Sequence, residues 1–143
     1  MIILDTNVVS EPLRPAPDAA VLAWLDAQAP ATLCLTSITL AELLAGVVTL
    51  PAGRRRNRLA LALSDQVLPL FEGRMLAFDT SAAHAFARVQ AGATAAGNPI
   101  SFADAAIAAI ATAHGFALAT RNVRDFKGTG LELIDPWAAT SAG

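Results

Sequence analysis

Short hydrophobic runs, each too brief to be a helix, alternate with segments of helical period along this chain. That order restricts the fold more than any other feature. Strands and helices taken in turn build a parallel sheet between helical layers, joined by right-handed crossovers. The first run, "MIIL", passes directly into Asp5, Thr6 and Asn7. A strand covered on both faces reads as such an unbroken apolar run, whereas a half-exposed strand alternates. Ligands of such sheets bind beyond the carboxyl ends of the strands, so Asp5 is expected at a functional edge.

The later runs "TLCLT", "RMLAFD", "FALAT" and "LELID" supply further strands, giving a central, mainly parallel sheet of about five. After the first strand, "NVVSEPLRPAPD" reads as a short helix broken by Pro12, Pro15 and Pro17, and Asp18 then caps a helix that buries Val21, Leu22 and Leu25. Helices are also predicted over 37–48, from 54 to about 67, over 81–96 ending at Gly97, and over 101–114 closed by Gly115. The 143 residues make one domain by size, assigned to 1–138, with a short flexible tail at 139–143.

Cys34 is the single cysteine, so the chain forms no internal disulfide, and its place in a strand marks a buried thiol. A reducing cytoplasm fits. The longest apolar stretch, around "AAIAAIATA", falls short of the ~20 residues that span a bilayer, and no leader-like segment precedes the first strand. A net charge of −2 decides nothing about a nucleic-acid partner. Arg54, Arg55, Arg56 and Arg58 form a cluster that reads as a solvated helix face or as a guide for an RNA backbone.

Three acids follow one positional rule: Asp5 ends the first strand, Glu42 opens the helix after the second, and Asp104 opens the helix before the fourth. "TLAE" and "SFAD" also match a helix-capping pattern, in which the acid satisfies free backbone N–H groups. Asp5 is less easily explained so, since Thr6 or Asn7 could cap the next helix. Three ionised carboxylates converging at ~5 Å would repel by about 3 kcal/mol per pair at an effective dielectric near 20. A divalent cation offsets that. Oxygen donors without His or Cys favour Mg²⁺ or Mn²⁺, which orient a water and stabilise charge on a phosphoryl group.

"ILDTNVVSE", "SITLAELLAGV", "GNPISFADAAIAA" and "LATRNVRDF", in that order, resemble the PIN-domain nucleases, specifically the VapC-type toxins of their FitB-like branch. The resemblance covers essentially the whole chain. It implies a three-layer α/β/α sandwich and a metal-dependent endoribonuclease in which Asp5, Glu42 and Asp104 are catalytic and hold Mg²⁺. Thr6, Asn7, Thr120 and Asp125 match supporting positions. Asn122 stands where many relatives carry a fourth acid, and an amide can ligate a cation only through its carbonyl. The resemblance also implies a homodimer, a VapB-like antitoxin whose tail crosses the acid groove, and assembly of toxin with antitoxin on DNA.

Arg121 and Arg124 lie nearest the proposed edge and are the first candidates for RNA phosphate contact. His84 and His114 are too far apart to make a metal pair, and His114 suits a helix carboxyl end. Trp24 and Trp137 read as core residues. An aspartyl-phosphate hydrolase is disfavoured by Asn7 where its second Asp would stand, and an NTPase by the lack of a Gly-rich loop ending in Lys-Ser or Lys-Thr. The serious alternative is a degenerate relative that binds RNA or antitoxin without cutting.

Overall fold

The structure is a computed structural model that describes residues 1–138; the expected tail at 139–143 lies outside the described residues. Its five strands are β1 (Ile2–Leu4), β2 (Leu33–Thr36), β3 (Met75–Leu76), β4 (Ala117–Ala119) and β5 (Leu133–Ile134). All pair in parallel, in the order β3-β2-β1-β4-β5. The unbroken hydrophobicity of β1 has a direct cause. Ile3 and Leu4, both essentially inaccessible, point into separate cores on opposite faces of the sheet.

One face is covered by α5 (Thr80–Ala95) and α6 (Phe102–His114). Seven successive residues of α6, Ala105 through Ala111, are buried, and the small Ala side chains let α5 approach closely through Ala82, Ala85 and Ala93. The other face is covered by α1 (Thr6–Ser10) and α3 (Ser37–Val48), with Leu25 and Trp24 of α2 (Ala19–Ala27) packed at its margin. Trp137 packs against the same core. Cys34 is buried, and among the described residues no helix is long and apolar enough to cross a membrane.

Several ends fall where the sequence puts them. Asp18 accepts the Ala20 N–H at 2.8 Å, and Gly115 closes α6 at φ +70°, a conformation that favours glycine. Two elements differ. The predicted helix from 54 to about 67 is α4 (Arg54–Ala62), followed by a widened π turn at Leu63–Val67 and a 3₁₀ turn at Leu68–Phe71. Pro69 lacks an N–H and its ring clashes with an α-helical carbonyl four residues back, so the helix cannot run on. The run "RMLAFD" yields only the two-residue β3, because Phe78 gives its N–H to Ser37 Oγ at 3.2 Å and Asp79 turns to cap α5.

Candidate active site

The site begins where the sheet changes direction. From β1 the chain crosses to β2 on one side, while β4, on the other side of β1, leads outward to β5. Such a switch opens a crevice at the strand carboxyl ends. Leu4 and Ala119 are register partners, so Asp5 and Thr120 follow them side by side. The Asp5 N–H donates to Ala119 O at 2.9 Å, and Thr120 Oγ1 donates to Asp5 Oδ2 at 2.8 Å. Asp5 Oδ1 accepts the Thr6 N–H at 2.9 Å, and Asn7 Nδ2 lies 3.5 Å from Oδ2. Asp5 is thus itself the cap of α1, a role the sequence reading gave to Thr6 or Asn7. Its extended backbone holds the carboxylate over the first free N–H.

Glu42 is not a cap. Thr36 caps α3, its Oγ1 accepting the Thr39 N–H at 3.1 Å, so Glu42 lies in the second turn, beyond the free N–H groups. It receives Thr6 Oγ1 instead, at 2.7 Å to Oε1. Thr39 Oγ1 stands 3.3 Å from Thr6 Oγ1 and 3.4 Å from Thr36 Oγ1. Thr36 and Thr39 are both completely buried. This line of hydroxyls behind Glu42 was missed from the sequence, where two threonines in "LTSIT" were its only trace.

Asp104 does keep its capping relation: Ser101 Oγ accepts its N–H at 3.2 Å. It also feels the other acids. Burial first, and then the charge of Asp5, with smaller pushes from Asp125 and Glu42, raise its carboxyl to about 6 against the pull of Ser101. Burial likewise raises Asp5, opposed by the bonds from Thr120 and Thr6 and reinforced by Glu42. Asp5, Glu42 and Asp104 therefore share one electrostatic neighbourhood.

Among the described residues no three His, Cys, Asp or Glu side chains form a group that could hold a metal ion directly. The acids converge to charge–charge range, with Glu42 turned towards a hydroxyl. The donor chemistry fits a hard divalent cation of the Mg²⁺ kind, which keeps several of its waters and needs only one or two direct carboxylates. It does not fit Zn²⁺, which takes His and Cys.

Around this rim the other candidates divide. Asn7 Oδ1 accepts the Arg121 N–H at 3.2 Å, tying α1 to the loop after β4. Asn122 contributes its backbone, donating its N–H to Thr120 Oγ1 at 3.1 Å, while its side chain is exposed at the start of the 3₁₀ turn Val123–Phe126. Arg121 and Arg124 border a recess with Asp125 and Asp135, and the Arg121 guanidinium lies 5.1 Å from the Trp137 ring centre. His114 is in the last turn of α6, stacked on Phe116 and apart from the acids. The sequence reading passed over Glu11, which is almost fully buried, receives Arg14 Nη1 at 3.0 and 3.1 Å, and accepts the Asp18 N–H at 3.2 Å.

Comparison with known proteins agrees with this architecture. Residues 2–130 match the family model described as PIN domain. The chain is 49% identical over 137 residues to VapC ribonuclease Y4jK of Sinorhizobium fredii (strain NBRC 101917 / NGR234), covering 96% of this chain and 98% of that protein. It is 43% identical over 137 residues to toxin FitB of Neisseria gonorrhoeae (strain ATCC 700825 / FA 1090), covering 96% and 99%. A solved structure of FitAB bound to an IR36 DNA fragment superimposes with a TM-score of 0.92 at 42% identity, over 96% of each chain.

Proposed function

The chain belongs to the PIN-domain family, and on that footing we propose that it is a divalent-metal-dependent endoribonuclease, the toxin of a VapBC-type pair. The observation that supports this most directly is the coupling of Asp104 to Asp5, Glu42 and Asp125 across a crevice at the sheet's switch point. A bound Mg²⁺ or Mn²⁺ would supply Lewis acidity at a phosphoryl oxygen and lower the pKa of its water. Asp5, Glu42 and Asp104 would hold it. Thr120, the Thr6 N–H and Asn7 fix the Asp5 carboxylate, and the Thr6 hydroxyl aims Glu42. Such outer hydrogen bonds set the orientation and basicity of metal-holding groups. Water then adds across an RNA phosphodiester, leaving the phosphate on one product and a hydroxyl on the other.

By analogy with the FitAB complex, the partner is a small antitoxin, and the pair assembles on DNA. An acid-lined rim suits a cationic side chain from that partner's tail. A homodimer follows from the same resemblance, and exposed Leu44, Val48, Leu61 and Phe102 supply apolar surface for such contacts.

A second reading, a binding module that no longer cuts, is favoured by one observation. Asn122 offers the site its backbone and no charge. The test is cleavage of single-stranded RNA with Mg²⁺ or Mn²⁺, alongside growth on expression with and without a small neighbouring protein. The nuclease reading expects cleavage abolished by EDTA, by Asp5→Asn and by Asp104→Asn. Equal cleavage by wild type and both variants would refute it, and RNA binding without cleavage would establish the second reading.

A further inference from the structure

An open recess of about 390 Å³ is lined by Thr6 and Glu42 together with Arg14, Arg55 and Arg58, the rest of its lining being mainly aliphatic. We propose that this recess is the track for the RNA strand beside the cut, with Arg55, Arg58 and Arg14 binding successive phosphates. The proposal rests on the ribonuclease reading and assigns that reading its substrate-binding residues.

Three observations carry it. First, the arginines of α4 stand against local helix physics. Arg54, Arg55 and Arg56 occupy the first turn, where the helix dipole disfavours cations, behind a Gly53 that provides no side-chain cap and with no acid in that turn. Arg58 adds like-charge neighbours at three- and four-residue spacing. Among the described residues none of the four has an ion-pair partner. A bound polyanion relieves that repulsion.

Second, Arg14 is held in place. Buried Glu11, itself held by the Asp18 N–H, accepts two bonds from Nη1, which fixes one edge of the guanidinium while 58% of the Arg14 side chain remains exposed.

Third, the recess holds both signs of charge. An acidic peptide would satisfy the guanidiniums and be repelled by Glu42. A phosphodiester chain suits both, because its phosphates would meet the arginines while a divalent cation held by the acids would offset repulsion from Glu42.

The test is fluorescence anisotropy with a short labelled oligouridylate in EDTA, so that nothing is cut, repeated across a range of salt. Each phosphate contact to a single strand adds about 0.7 to the slope of log affinity against log salt. Arg55→Gln/Arg58→Gln should flatten the slope by about 1.4 and weaken binding roughly tenfold at low salt. Arg54→Gln/Arg56→Gln removes equal charge from the same helix outside the recess lining and should flatten it far less. The single variant Arg58→Gln, expected to lose about 0.7, covers failure of the double variant to fold.

Equal slopes for the two double variants overturn the proposal. So does unchanged RNA binding by Arg55→Gln/Arg58→Gln with loss of binding to a purified antitoxin, which would assign the recess to a protein partner. Binding in EDTA does not depend on cleavage, so the expected slope difference there, together with RNA left uncut when Mg²⁺ or Mn²⁺ is supplied, would refute the nuclease and leave the track standing. Metal-dependent cleavage with equal slopes would do the reverse.

Discussion

Thr120 and Asp5 are 115 positions apart in sequence, yet the hydroxyl of one donates to the carboxylate of the other at 2.8 Å inside the protein. Adjacent parallel strands in fixed register make this contact unavoidable once β1 and β4 pair. It is the main bond opposing the rise in the Asp5 pKa that burial imposes. Thr120→Val keeps the shape and removes the donor. It should cost about 1–3 kcal/mol by urea unfolding at neutral pH, and Thr120→Ser should recover most of that. Full stability in the Val variant would show that the bond contributes nothing.

The pH dependence of stability has a definite sign. Asp104 is raised to about 6 in the folded protein from 3.8, so between about pH 4 and 6 the folded state binds more protons than the unfolded. Stability contributed by protonated Asp104 is therefore present below pH 4 and lost as pH rises through 6. Because the group is half exposed, solvent screening reduces the effect to about 1 kcal/mol. Metal-free Asp104→Asn should show a flatter melting profile over this window and melt higher at pH 7. An identical profile in both proteins would be inconsistent with the coupling.

Adding Mg²⁺ or Mn²⁺ should reverse that loss. A cation favours the ionised carboxylates, so its binding releases protons near pH 6 and raises the melting temperature. Calorimetry in buffers of different ionisation enthalpy measures the release directly. Asp5→Asn should abolish both effects, and a shift that survives in that variant would place the ion elsewhere.

Thr6→Val tests the hydroxyl behind Glu42. Loss of the 2.7 Å bond leaves that exposed side chain free to turn. Activity or metal affinity should fall roughly 10- to 100-fold, as for other outer-shell partners, with little change in melting temperature. A variant with wild-type cleavage would remove Thr6 from the site.

Gly128→Ala should destabilise the fold without touching the acids. Gly128 sits at φ +88°, and a Cβ there would lie 2.8 Å from Ala96 Cβ. The backbone penalty and the clash together predict about 2–4 kcal/mol by thermal or urea unfolding. Gly97→Ala shares the positive φ, +72°, but has open space around its Cβ, and should cost less.

The sequence disclosed the layers because β1 is apolar on both faces and α6 is apolar nearly all round, patterns that survive in one dimension. It disclosed helix ends where a single residue decides them, as at Asp18 and Gly115. It misjudged the stretch after Ala62, where Pro69 acts across several residues. The three acids were singled out by position, and Thr6, Asn7 and Thr120 beside them by resemblance; the side chains behind these were not legible. Thr39 behind Glu42 and Glu11 beneath Arg14 depend on which side chains the fold brings together, and neither carries a spacing that separates it from an ordinary helix residue. Capping patterns misled in both directions: Glu42 matched one without making it, and Asp5 made one unsuspected.

The bond between Asp5 and Thr120 has a consequence for biosynthesis. In translation Thr120 follows Asp5 by 115 residues, so the carboxylate waits through that interval without its donor. A polypeptide that stalls between α6 and β4 carries all three acids and lacks the strand that seats the first. The seat of the first acid is therefore completed only when β4 has joined the sheet beside β1.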